Sequence, residues 1–129
     1  MPIPDFQTLM LPVLKSAVDG EANIGEVTAS LAADFKLTEE EREQRLPSGR
    51  QTTIVNRTGW AKTYLTKAGL LEATRRSYFR ITERGKQVLA ENPTRIDIQF
   101  LSKFPEFEEF RKTERDGATP ETEPVAAAI

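Results

Sequence analysis

Between Arg42 and Lys86 the sequence sets eleven basic side chains against Glu43, Glu72 and Glu83, a net charge of +8 over 45 residues. A block of that sign and density attracts a polyanion whatever the total charge of the chain. Three clusters within it have the types and spacing to do so. The stretch Arg45-Leu46-Pro47-Ser48-Gly49-Arg50-Gln51 offers two guanidinium groups, the Ser48 hydroxyl and backbone N–H groups just before a predicted helix, which is the chemistry of a phosphate clamp. Arg75 and Arg76 share a predicted turn between two short strands. Alternation along the second of these strands turns Phe79 and Ile81 inward and leaves Tyr78 and Arg80 outward.

The helix predicted over residues 52–68 lies between these clusters. On a wheel of 100° per residue centred on Ala61, Ile54, Thr58, Leu65 and Ala68 fall within about 60°, as do Arg57 and Tyr64. That stripe is the core side. The other side gathers Thr52, Asn56, Gly59, Thr63, Thr66 and Lys67, with no acid and no large apolar residue. Small hydrogen-bonding side chains beside a cation suit base edges next to phosphates: Asn56 has the two-sided amide that pairs with adenine, and Thr63 suits a base edge or a phosphate. The same face would also serve as plain solvated surface, although no Glu or Asp lies between Thr52 and Glu72. Gly59, costly in mid-helix by about 1 kcal/mol relative to Ala, either lets a duplex approach or is tolerated on an exposed face. Trp60 at the flank of the stripe packs against a neighbouring element or offers a stacking platform. Arg57 points close to the core, to pair with an acid of the first helix or to reach past it to a phosphate.

Composition removes other chemistries. The chain of 129 residues has no His and no Cys. Disulfides, zinc fingers, thiol nucleophiles, Ser-His-Asp triads and imidazole bases are therefore excluded. With 38% hydrophobic and 29% charged residues it reads as one ordinary folded domain. The net charge of −2 hides its sorting: residues 1–41 carry −6 and residues 87–129 carry −4. No basic leader precedes the apolar start MPIPDFQTLMLPVL, and no apolar run approaches the roughly 20 residues of a membrane span. The expectation is a cytoplasmic protein that binds no cofactor, metal or membrane.

The elements that must position these clusters follow from periodicity and caps. A first helix starts at Asp5 and carries Phe6, Leu9, Met10, Val13, Leu14 and Ala17 inward, with Pro12 either delaying or bending it. Ala22-Asn23-Ile24 allows one short sheet crossing. A second helix runs from about Gly25 to Phe35, and Thr38 with Glu41 matches a capping box. The helix over 52–68 stops at Gly69, and strands over 70–74 and 78–81 follow. Thr82 caps a helix to about Glu91. Phe100, Phe104, Phe107 and Phe110 suggest a last helical segment broken at Pro105. The expected fold is mainly α with a small β-hairpin: a winged helix-turn-helix over residues 1–110, with an extra C-terminal helical segment, followed by a disordered tail or linker over 111–129. A three-helix bundle with an incidental hairpin would give the same order.

Five stretches resemble, in order, the N-terminal domain of Mrr-type (type IV) restriction endonucleases: IPDFQTLMLPVLK, LTEEEREQRLPSGRQT, NRTGWAKTYLTKAGLLE, FRITERGKQVLAENP and IDIQFLSKFPEF. They cover about residues 3–107. The resemblance implies a winged-helix DNA-binding domain of a restriction system acting on modified, chiefly methylated, DNA. In the family it is usually joined to a C-terminal PD-(D/E)xK nuclease domain, and the expectation is that these 129 residues hold none of it. Asp34-Phe35-Lys36 gives a D-x-K, but Asp34 closes an amphipathic helix where a nuclease site needs the end of a strand.

The expectation is thus a non-catalytic module for double-stranded DNA. Arg45, Ser48, Arg50, Arg57, Lys67, Arg75, Arg76 and Arg80 supply backbone contacts, while Thr52, Asn56 and Thr63 meet base edges. A nuclease domain or subunit would be its partner. The alternative is a protein-interaction winged helix, in which the Phe-rich C-terminal segment packs on a second copy to form a homodimer.

Overall fold

Short-range caps set where most helices begin. The computed structural model describes residues 3–116. The order is α1 (Phe6–Ser16), β1 (Ala22–Asn23), α2 (Ile24–Asp34), α3 (Glu39–Glu43), α4 (Thr53–Lys67), β2 (Leu71–Arg75), β3 (Tyr78–Ile81), α5 (Glu83–Ala90), α6 (Ile98–Leu101) and α7 (Pro105–Asp116). Side chains of Asp5, Asn23, Thr38, Thr52, Thr82 and Asp97 each accept a bond from a backbone N–H in the following first turn. At Thr38 the bond is reciprocated by Glu41, completing the capping box. Pro12 neither delays nor ends α1, which starts at Phe6. The cap at Asn23 starts α2 one residue before the expected Gly25.

The chain is mostly helical, with one three-stranded antiparallel sheet in the order β1-β3-β2. Leu71 pairs with Ile81 and Glu72 with Arg80, and the register slips between Ala73 and Arg75, so Thr74 bulges. Ala22 stands opposite Phe79 on the other edge.

The core forms where α1 packs on α4. Leu9, Met10, Val13 and Leu14 meet Ala61, Tyr64 and Leu65, all essentially without solvent contact, and Phe79 joins them from β3. The Tyr64 ring is met edge-on by Phe6 at 5.2 Å, Trp60 at 5.9 Å, and Phe107 and Phe110 at 5.5 Å each. Such pairs add about 1 kcal/mol each to the area they bury. Trp60 is half-buried within this cluster, packing against the core.

The C-terminal segment belongs to the same core. Ile96, Leu101 and Phe107 are fully buried, and the Ile98 N–H donates to Gln7 Oε1 at 2.9 Å, fastening α6 to α1. Phe100, Phe104 and Phe110 are half-buried against the core. The Phe-rich stripe that the alternative reading sets against a second copy is thus turned largely onto its own domain. Pro105 opens α7 and breaks the segment as expected, but α7 carries the chain past residue 110 to Asp116. The remainder of the expected tail, 117–129, lies outside the described residues. Among the described residues no helix is long and apolar enough to cross a membrane.

Candidate nucleic-acid interface

The segment between α3 and α4 is a tight loop folded back on itself. Leu46 N–H donates to Gln51 O at 3.1 Å and Thr53 N–H to Gln44 O at 2.8 Å, while Arg45 and Thr52 form a bridge. Gly49, at φ +76, allows the reversal and donates to Leu46 O at 2.8 Å. Arg45 Nη1 donates to Gly49 O at 3.0 Å, and Ser48 Oγ accepts from Arg50 N–H at 3.3 Å. All three of these expected site residues are exposed, next to the start of α4.

This loop changes the reading of the helix that follows. Asn56 was expected to face outward, but it is only 3% exposed: its Nδ2 donates to Gln51 Oε1 at 3.1 Å, because the loop folds over the first turns of α4. Its Oδ1 has no hydrogen-bond partner among the described residues. Thr52 serves as the helix cap, its hydroxyl accepting from Val55 N–H. Thr63 is half-buried on the outer side, and Thr66 Oγ1 donates back to Lys62 O. The outer side does carry a large apolar residue, Val55, 42% exposed. Gly59 has open space before it: a Cβ there would meet nothing within 4 Å.

Two cations expected at this surface are engaged elsewhere. Arg57 Nη1 donates to the carbonyls of Ile3 at 2.9 Å and Pro4 at 3.3 Å, so it fastens the N-terminal segment to α4 and does not extend beside the outer face. Lys67, at the far end of α4, lies over the Phe110 ring at 5.4 Å. Arg84 likewise ties α5 to the end of α4, donating to Ala68 O at 2.8 Å and pairing with Glu106 at 2.9 Å.

On the hairpin, Arg75, Arg76 and Arg80 are exposed as expected, but two of them face carboxylates that sequence reasoning did not connect. Arg75 stacks 3.8 Å over the Tyr78 ring and pairs with Glu21 at 3.2 Å. The bulged Thr74 donates its hydroxyl to the same carboxylate. These bonds, from Thr74 first and Arg75 second, hold the Glu21 carboxyl below its ordinary pKa. Arg80 pairs across the strands with Glu72. Arg76 has no ion pair among the described residues.

Loop, helix and hairpin turn meet in one hollow of about 390 Å³, lined by Gln51, Val55, Asn56, Gly59, Lys62, Thr63 and Ser77 among others. Ile24, whose N–H donates to Ser77 O at 2.9 Å, joins its wall. Ser77 was not singled out, and Lys62 entered only as one of the eleven cations of the basic block, since on the wheel it sits between the two faces. Arg80 instead lines a separate hollow with Val18, Asp19, Glu21 and Lys86. The arrangement can offer cations, hydroxyls and a small apolar surface to a partner. Among the described residues no group of three or more carboxylates could hold a metal ion, and Asp34 is an exposed residue closing α2.

No curated protein and no solved structure matches the chain. A family does: the one described as the Mrr N-terminal domain, matching residues 6–91, from the first turn of α1 to the end of α5. That span takes in the loop, α4 and the hairpin together, and on it the chain belongs to the Mrr N-terminal domain family, a domain type associated with restriction systems.

Proposed function

We propose that this chain is a winged helix-turn-helix module that binds double-stranded DNA. In this reading α4 enters the major groove, the β2–β3 hairpin is the wing on the flanking backbone, and the loop over 45–51 clamps a phosphate. The observation that carries it is the outer side of α4: its hollow is open, lined by no carboxylate, and lies between the loop that carries the exposed residues Arg45 and Arg50 and the hairpin turn at Ser77. Lys62 and Thr63 take over the part first given to Asn56. Family membership supports a role as the recognition part of a restriction system acting on modified DNA. Cleavage would then fall to a nuclease domain or subunit, and this chain itself performs no catalysis.

Titration of a labelled duplex at several salt concentrations tests the reading. Affinity should fall steeply with salt, and replacing Arg75 and Arg76 together by Ala should reduce the slope of log K against log salt by about 2, one unit for each phosphate no longer neutralised. A slope identical to that of the unaltered protein removes the wing from the proposal. No binding at low salt removes the DNA reading itself.

A further inference from the structure

The two sides of α2 meet different surroundings. Gly25, Ala29 and Ala32 look towards α4 and line a hollow of about 320 Å³ with Ile54 and Val55. Glu26, Ser30 and Asp34 lie about 130° further round at 100° per residue. They line a larger hollow of about 580 Å³, a groove between α1 and α2. Both helices pack on α4 and much less on each other, which leaves the side away from α4 open. Val27 and Leu31, one turn apart on α2, are buried in the floor of this groove, and half-buried Leu11 and Pro12 supply its α1 wall.

The rim is charged. Glu26 and Asp34 are exposed on the α2 side, two turns or about 12 Å apart. Neither forms an ion pair among the described residues. Glu21 closes one end, already held by Arg75, and Lys15 is the one cation among the lining residues. An apolar floor between two helices takes a third helix, and carboxylates two turns apart ask for cations at the same spacing. Residues 1–41 carry −6, so the field around the groove draws a basic partner and repels a duplex. A second copy does not supply such a helix, because no described helix of this chain carries an exposed apolar stripe.

We propose that the α1–α2 groove docks a basic amphipathic helix of a partner protein. Its apolar side chains rest on Leu11, Val27 and Leu31, and its Lys or Arg residues meet Glu26 and Asp34. This goes beyond DNA binding and does not depend on it. The groove shares no lining residue with the hollow on α4, so a partner held here leaves the outer side of α4 uncovered.

The probe is a labelled synthetic helix of about five turns, with Leu along one stripe and Lys on its flanks. A second peptide has Glu for every Lys, and a third has the composition of the first with Leu spread around the helix. Anisotropy with the full chain at low salt should show the first bound about tenfold more tightly than either of the others. Amide shifts should gather at Val27, Ser30 and Leu31 and leave Gly59 and Thr63 in place. Glu26→Lys with Asp34→Lys should weaken binding about tenfold, while Glu40→Lys with Glu43→Lys on α3, an equal change of charge, should leave it unaltered. Should the first pair fail to fold, Glu26→Gln with Asp34→Gln carries the same test with a loss of about threefold. Equal binding of the Lys and Glu peptides, shifts centred away from the groove, or equal losses from the groove and α3 pairs overturn the proposal. So does the absence of binding by the Lys peptide, and none of these outcomes bears on the duplex.

Discussion

The two ends of α4 are built to opposite plans. At its C-terminal end every group is held. Tyr64 has aromatic rings around it, Ala68 O accepts from Arg84, Gly69 O accepts from Thr82 Oγ1 at 2.6 Å, and Gly85 of α5 lies against the Leu70 carbonyl. At its N-terminal half Val55 is exposed, Gly59 faces open space, and two hollows flank the helix. The helix divides its labour along its length as well as around its girth. One end is tied to the hairpin and the C-terminal helices; the other is left open.

Two glycines sharpen that contrast. At Gly85 a Cβ would stand 2.3 Å from Leu70 O and 2.6 Å from Ile81 Cγ1, so backbone must move to admit it. We expect Gly85→Ala to cost about 3 kcal/mol and to lower Tm by about 10 °C. A thermal melt like that of the unaltered protein would mean that the held end is looser than described.

The next largest effect separates cations that build the domain from those that face outward. Arg57 bonds two backbone carbonyls of the N-terminal segment and is partly buried. Arg57→Met should cost about 2 kcal/mol, the worth of a charged hydrogen-bonding group. The salt dependence of duplex binding by the folded fraction should not change. A reduced slope would return Arg57 to the set of phosphate contacts.

These two effects also mark what could be read in advance. The caps at Asp5, Thr38 and Thr82 and the stop at Gly69 were legible, because a cap is chemistry between residues three or four apart, whereas Thr52, expected on the outer face of α4, turned out to be its cap. The core stripe of α4 was legible for the same reason, since periodicity is local. The roles of Asn56, Arg57 and Arg75 were not. A wheel knows nothing of the loop that bends back to bring Gln51 over Asn56, and Arg57 finds its carbonyls more than 50 positions away. The Glu21–Arg75 pair likewise spans 54 positions. Charge counting marked out a basic block of 45 residues but not which of its cations the fold itself employs. Val55 was legible too: on the same wheel it lies about 120° from the centre of the core stripe, as far out as Lys67.

Gly59 gives a smaller effect of opposite sign. No fold contact requires a glycine there, so Gly59→Ala should raise stability by up to about 1 kcal/mol through helix propensity alone. Duplex affinity should fall, because the added methyl occupies the space where a groove wall would approach. If stability rises and affinity stays the same, Gly59 is simply a tolerated residue on an exposed face, and the open end is used elsewhere along its length.

The smallest effect belongs to the clip between the hairpin and the turn before β1. Glu21 is held below its ordinary pKa by the Thr74 hydroxyl and then by Arg75, so the folded domain favours its charged form. The stabilisation it gives is present above its ordinary value of 4.5 and is lost as pH falls through its lower value in the folded domain. Because the pair is exposed, the loss should be local: hydrogen exchange at the amides of β2 should quicken relative to that of α4 as pH falls below 4.5, with little change in Tm. Glu21→Gln should show the faster exchange at all pH values and remove the acid-dependent step. It should also release Arg75 from an anionic competitor, raising duplex affinity modestly at low salt. Were exchange in β2 to follow α4 at every pH, the hairpin would be fixed by its strand register alone and would belong with the held end of α4.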